Sequence, residues 1–278
     1  METVYRTAYA AYLQNCLLLR KPFVPFPNST LNQKFGVHAD QVPATNEYPS
    51  LGYVGIGNKG NTYEVGAGGF MFTTPVPHLA RHAAGYNMIP FVARHVDDDL
   101  SAAERNNYRL RVMLPPIGGE NHVAYFLRKL DLNSVVPSIE LRNVSNGVIT
   151  NSPFVPELSD LSPTHPVLTN PNMITADGDY LVATAKTEFV LNQSDITNII
   201  EACNLIYGDP RYAVISEAML VTGLDKPLTG TFGGTTSTYT EVVAAQVAAF
   251  ISQSHNLTAS TTEVRIALNV GGVEPLLT

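Results

Sequence analysis

The sequence predicts an α+β protein: mainly an antiparallel β-sheet or sandwich, with a few packed helices and an extended irregular N-terminal arm. Three observations predict it. Side chains alternate along several short runs, most clearly Tyr108 to Leu114, with the period of two that a strand imposes. Successive runs lie about 15 residues apart, which leaves no room for crossover helices and makes the strands antiparallel. Residues 194–207 instead repeat their apolar positions at helical spacing and end on a helix-stop signal.

The elements follow in order. Residues 3–20 are expected to be helical, because Val4, Ala8, Ala11, Tyr12 and Leu18 or Leu19 approximate a 3.6 period that Pro22 ends. Pro22, Pro25 and Pro27 then forbid a helix and disfavour a central strand. The irregular character runs on to about Leu51, which is long for a compact domain. Phe23, Val24, Phe26 and Phe35 are too apolar for a free linker. The segment therefore either wraps on its own domain or lies as an arm on another subunit.

From residue 52 the signals turn to strand. Tyr63–Val65 and Phe70–Phe72 flank a glycine cluster, and a short helical piece is expected from Pro77 to about Gly85. Val123, Tyr125 and Leu127 continue the alternation, and Asn146-Gly147 after Ile139–Val144 is a strong hairpin signal. Residues 151–178 hold five prolines and little periodicity; Asp179–Leu191 reads as a strand. The helix at 194–207 has Ser194 as its expected N-cap, Asp195 in its first turn, and Ile196, Ile199, Ile200 and Cys203 on one face. Gly208 closes it and Pro210 follows. A strand at Tyr212–Leu224, a Thr/Gly-rich loop at Thr229–Thr240, a helix at 241–252 and a strand through Val264–Val270 complete the chain. The expected organisation is a helix and arm over 1–51, then a β-rich main domain over 52–278 with helices near 194–207 and 241–252.

Composition narrows the function. Of the 278 residues, 45% are hydrophobic but only 15% charged, well under the usual quarter. Charged residues are depleted at interface cores, so a sparsely charged exterior suits a protein covered by neighbours. The net charge of −7, with no basic run longer than a pair such as Arg20-Lys21, argues against a nucleic-acid surface. Cys16 and Cys203 lie in apolar helical patterns and read as buried free thiols. The start lacks a basic n-region and the stretch Ala8–Leu19 is interrupted by polar residues. The expectation is therefore no signal peptide or membrane span, and synthesis in a reducing cytoplasm.

Gly55, Gly57 and Gly60 spell G-x-G-x-x-G, but a dinucleotide loop needs a helix opening at the third glycine, and Asn61-Thr-Tyr-Glu-Val65 is strand-like. The expected role is a turn or bulge where backbone crowds backbone. His78 and His82 have the spacing of zinc ligands on a helix, but Leu79 stands where the general base would be and only His95 offers a third ligand. Asp97-Asp-Asp99 lacks alternating ligand spacing and reads as acids at a helical N-terminus. There is no G-x-S-x-G elbow, and no tryptophan to line a sugar cleft. No catalytic, cofactor-binding or metal-binding residue is assigned, and no cofactor is expected.

The stretch Tyr207-Gly-Asp-Pro-Arg-Tyr-Ala-Val-Ile-Ser-Glu-Ala-Met-Leu-Val-Thr-Gly-Leu-Asp-Lys-Pro-Leu228 resembles a recurring pattern of tailed-bacteriophage virion proteins. Tyr125–Leu132, Ile139–Val148, Thr150–Phe154 and Val242–Ile251 add to the likeness, which spans roughly 120–270. The resemblance implies a structural component of the neck, tail or baseplate that self-assembles into a ring or sleeve. Its partners would be its own copies and neighbouring virion proteins, without direct nucleic-acid or membrane contact. It would reside in the virion and have no enzymatic activity. The nearest rival is a capsid decoration protein. A carbohydrate- or receptor-binding β-module, and a hydrolase with spatially assembled carboxylates, are the alternatives from other classes.

Overall fold

The computed structural model describes residues 3–66, 69–164, 178–232 and 235–276. The fold is α+β, mainly antiparallel sheet. In chain order its elements begin with β1 (Thr3–Arg6), α1 (Ala8–Leu19), α2 (Leu31–Phe35), β2 (Ser50–Gly57), β3 (Asn61–Gly66), β4 (Gly69–Pro75), β5 (Met88–Ile89) and β6 (Val92–His95). They continue with α3 (Ala102–Arg105), β7 (Tyr108–Met113), β8 (His122–Lys129), β9 (Ser138–Ser145), β10 (Val148–Pro153) and β11 (Gly178–Asn192). The last are α4 (Gln193–Tyr207), β12 (Val214–Phe232), β13 (Thr235–Asn256) and β14 (Glu263–Leu276). The chain divides into two compact units, Met1–Asp131 with Val190–Val264, and Leu132–Phe189 with Arg265–Thr278. The boundary expected after residue 51 is therefore corrected: the N-terminal segment packs as part of the first unit, and residues 132–189 are the portion set apart.

The first unit is organised by an eight-stranded sheet ordered β1-β13-β12-β2-β8-β6, with β5 added to β2 and β7 to β8. Its spine is the β12–β13 hairpin, which shifts register between Ile215 and Glu217, Leu220 and Val221, and Thr222 and Leu224. Bulges of this kind bend and twist a strand and leave backbone groups unpaired. Here the N-terminal segment pairs them. Thr7 sends its amide to the Ala248 carbonyl at 3.0 Å and its hydroxyl to the Val247 carbonyl at 2.6 Å, while capping α1. Asn32 donates to the Val242 carbonyl at 2.9 Å and accepts the Ala245 amide at 2.9 Å, on either side of Ala244, whose φ is +53°. The sheet curls until β7 faces β13, and the two meet through a side chain: Glu241 accepts the Arg111 amide at 3.2 Å. Tyr53, Leu110, Phe126, Met219, Val221, Val242 and Phe250 fill the interior.

Several expectations are corrected in this unit. Residues 241–252 lie in β13 and are not a helix. That strand sits between β1 and β12 with Glu241–Val247 buried throughout, and a strand covered on both faces reads as a continuous apolar run, which periodicity alone does not separate from a buried helix. Residues 3–20 divide into β1, which pairs with Ser252–Ala249 of β13, and α1. The arm is not wholly irregular: beyond Pro27 a capping box of Thr30 and Gln33 starts α2, and Gly36 ends it. Phe23 and Leu31 are buried against their own unit, whereas Val24, Phe26 and Val42 stay exposed. No helix forms between Pro77 and Gly85. The Thr229–Thr240 segment continues the two hairpin strands, with 233–234 outside the described residues.

Helix α4 has the expected buried face of Ile196, Ile199 and Cys203, and Gly208 closes it in the left-handed region at φ +69°. Its cap is Asn192, two residues before Ser194, because Asn192 and Asp195 exchange backbone bonds as a capping box. Cys16 and Cys203 are buried free thiols, and burial pushes that of Cys203 up to about 12.

The second unit is a four-stranded sheet ordered β10-β9-β11-β14. Asn146 and Gly147, both at positive φ, make the tight β9–β10 turn that the sequence predicts. Strand β14 approaches β11 so closely at Gly271 that a Cβ there would overlap the Ala183 carbonyl. Strand β10 is exposed along its whole length. The irregular segment predicted for 151–178 contains the end of β10 and one 3₁₀ turn at Leu158–Leu161; residues 165–177 lie outside the described residues.

Candidate functional site

The glycine motif encloses a buried carboxylate. Glu217 sits near the start of β12, directly opposite Gly57 of β2, and is fully buried. One oxygen lies 2.8 Å from His78 Nε2; the amides of Tyr86 and Asn87 donate to the carboxylate at 3.3 Å each. A carboxyl group at that depth is tolerable only when hydrogen-bonded on several sides. The glycines supply the space. A Cβ on Gly57 would stand 2.8 Å from both the Asn87 carbonyl oxygen and Glu217 Cγ; one on Gly60 would stand 2.5 Å from the Ser216 carbonyl and 2.6 Å from Glu217 Cβ. Gly85 closes the third side, where a Cβ would meet the Glu217 carboxyl at 3.0 Å. Gly55 is less constrained, with Met219, Leu127 and Met88 at 3.2–3.3 Å. The crowding that the motif predicts is present, and Glu217 is its cause.

The histidines join this network without a helix. The His78 ring is stacked on Phe250 with centroids 3.7 Å apart, and its Nδ1 lies 3.2 Å from His82 Nδ1. His82 is partly exposed, and burial together with the His78 charge lowers its basicity. His95 is not brought to them: its ring stands beside His122, 5.6 Å between centroids, on the far end of the β6–β8 ladder. Among the described residues no group of three or more His, Cys, Asp or Glu side chains is placed to hold a metal ion.

The aspartates at 97–99 separate in role. Asp97 and Asp98 lie within a 3₁₀ turn of their own, Val96–Asp98, and do not cap the helix that follows, which Ser101 starts. Asp99 turns inward, where Arg105 reaches it at 2.6 Å, Arg111 at 2.8 Å and the Tyr125 hydroxyl at 2.8 Å. A parallel cluster forms on Asp225 of β12. Arg109 grips it with two bonds of 2.8 and 2.9 Å, the Tyr53 hydroxyl donates at 2.6 Å, and Lys129 stands at 3.3 Å. Burial pushes the Asp225 carboxyl up, but the bonds from Arg109 and Tyr53 and the charges of Arg109 and Lys129 outweigh it and hold it at about 2. These pairs fasten β7, β8 and β2 to the hairpin.

An open cleft lies at the seam where β7 faces the hairpin. It has a volume of about 460 Å³, and Phe35, Val37, Val112, Met113 and Leu228 form most of its wall. Arg111, Tyr239, His38 and Glu241 add polar groups. Burial pushes the Glu241 carboxyl up, against the Arg111 amide and the charges of Arg111 and Arg109. Leu110, between the β8-paired Arg109 and Arg111, takes φ +56°, an uncommon conformation for a bulky residue. Sequence reasoning did not single out Glu217, Asp225, Arg109 or Glu241. One signal was present: Glu217 interrupts the apolar run Ala213–Val221, as an acid does when something buried must pair with it.

Fold and site together define a mainly antiparallel α+β protein with a curled, laterally open sheet, buried carboxylates that tie its strands, and a mixed apolar–polar cleft at the seam. The chain belongs to the family described as "Family of unknown function (DUF7208)", whose model matches residues 1–278. No curated protein and no solved structure matches it.

Proposed function

We propose that this protein is a non-enzymatic structural subunit of a tailed-phage virion, self-assembling in the neck, tail or baseplate. The observation that carries the reading is the apolar surface at the end of α1 and on the following arm. Leu18 and Leu19 are 74% and 68% exposed, and Leu17, Val24 and Phe26 about half exposed. Scattered apolar residues on a surface are ordinary; five within ten positions of one segment form a patch of the kind that marks an interaction site. The arm is held at Phe23 and Leu31, so this patch is presented on an ordered frame. Burying each large side chain would contribute about 1.5–3 kcal/mol, repeated at every subunit boundary.

The partners are further copies and neighbouring virion proteins, and the place of work is the virion. The test is the assembly state of the purified chain by mass photometry and negative-stain microscopy. The wild type should form rings or stacked rings, and Leu18→Asp with Phe26→Asp should dissociate them into subunits with an unchanged circular-dichroism spectrum. A wild type that stays monomeric across the concentration range would overturn the reading.

A further inference from the structure

We propose that the seam cleft receives residues 154–161 of a second copy of this chain. The inference rests on the assembly role above and assigns it a donor and an acceptor.

The donor is Phe154-Val-Pro-Glu-Leu-Ser-Asp-Leu161, which follows the edge strand β10. Three of its apolar side chains stand exposed among the described residues: Val155 is 74%, Leu158 86% and Leu161 81% exposed. The segment is nevertheless shaped. Asp160 accepts the Glu157 amide at 2.8 Å, and Leu158–Leu161 make a 3₁₀ turn. Side chains three apart eclipse on such a turn, so Leu158 and Leu161 present one apolar edge, with the carboxylates of Glu157 and Asp160 beside it.

The acceptor matches in shape and charge. The cleft offers an apolar wall and an unpaired strand edge, because the Leu114 amide bonds back to His122 at 2.9 Å and the alternation of an antiparallel ladder then turns the amide of Met113 outward. Its lining cation is Arg111, and Arg105 lies behind it over the lining Tyr239 ring, 4.4 Å from its centroid; their side chains are 22% and 19% exposed, while the Asp99 carboxylate they share is 7% exposed. Lys34 stands over the Phe35 ring at the rim, 5.8 Å from its centroid. The lining acid, Glu241, offers less to an incoming chain, since it is buried and committed to the Arg111 amide. A short apolar segment carrying two carboxylates is the complement of that surface, and this chain displays one. A heterologous contact of this kind, donor on one copy and acceptor on the next, propagates or closes into a ring.

The test uses the full chain and a fluorescent peptide of residues 152–163. The peptide should bind the wild-type chain in a fluorescence-anisotropy titration. Substituting Leu158→Asp and Leu161→Asp in the peptide, or Lys34→Glu with Met113→Glu in the chain, should weaken binding by about tenfold or more. Leu158, Leu161, Lys34 and Met113 are all at the surface, and an unchanged circular-dichroism melt confirms that the fold is kept. The same pair of changes at 158 and 161 in the full chain should lower its assembly. Equal binding of wild-type and altered peptide overturns the pairing. So does a chain whose 158/161 variant assembles like wild type while the Leu18/Phe26 variant does not, an outcome that leaves the assembly role standing. A chain that binds the peptide yet stays monomeric, with its melt shifted by the 158/161 changes, overturns the second copy as the occupant.

Discussion

Replacing Gly57 by alanine tests the central claim about the glycine motif. In a strand an added methyl group normally helps, because it lowers the entropy of the unfolded chain by the equivalent of about 0.4–1 kcal/mol. At Gly57 the sign should reverse. The new Cβ would stand 2.8 Å from the Asn87 carbonyl and 2.8 Å from Glu217 Cγ, closer than real Cβ atoms approach anything. Glu217 is unable to swing aside freely, since His78 and the amides of Tyr86 and Asn87 hold its two oxygens. Overpacking costs roughly 1–3 kcal/mol, and weakening the bonds of a buried carboxyl group about as much again, so a net loss of about 3 kcal/mol is expected. For a chain of this size that is roughly 6–12 °C in melting temperature. Urea unfolding followed by circular dichroism measures it, with Gly52→Ala as the control, because a Cβ there would meet nothing nearer than the Ser50 carbonyl at 3.9 Å. If the two variants unfold within about 0.5 kcal/mol of each other, the crowding around Glu217 is not what requires glycine.

Two more outcomes follow from the same network. Asn32→Leu keeps the volume but removes the side-chain amide that bonds to Val242 and Ala245, so the bulge is left unpaired in the interior; a loss of about 2–4 kcal/mol is expected on the same urea assay, against less than about 0.5 for the exposed Gln41→Ala control. Asp225, held at about 2 when folded against an ordinary value near 4, has a depressed folded pKa. Its contribution is present above about pH 4 and is lost as pH falls towards 2. With its side chain 32% exposed, screening reduces that contribution to roughly 1–2 kcal/mol, and Asp225→Asn should flatten the acid limb of the stability–pH curve by that amount.

The elements that were legible in the sequence are those governed by local rules. Asn146-Gly147 announced a hairpin because both residues tolerate positive φ, and the α4 segment announced itself by a 3.6 period with a glycine stop. Alternation gave β7 and β8. Local rules failed where burial was two-sided or where a cap lay outside the periodic run. Val242–Ile251 shows apolar residues on both faces, so its period carried no information and its strand state came from lying between β1 and β12. The candidate site was legible only in outline: the glycines declared that something crowds them, but Glu217 lies about 160 positions further on, and no spacing rule links the two.

The sequence by itself determined the class of fold, the antiparallel pairing, the free thiols and the need for close backbone packing at Gly57 and Gly60, since each depends on the size, polarity or torsional freedom of neighbouring residues. Only the tertiary structure decided which carboxylates are buried, which histidine meets Glu217, that Glu241 bridges the seam between β7 and β13, and which apolar side chains remain uncovered. Those facts depend on register between strands far apart in the chain, and register is fixed by the summed packing and bulges of the whole sheet, not by any one stretch of residues.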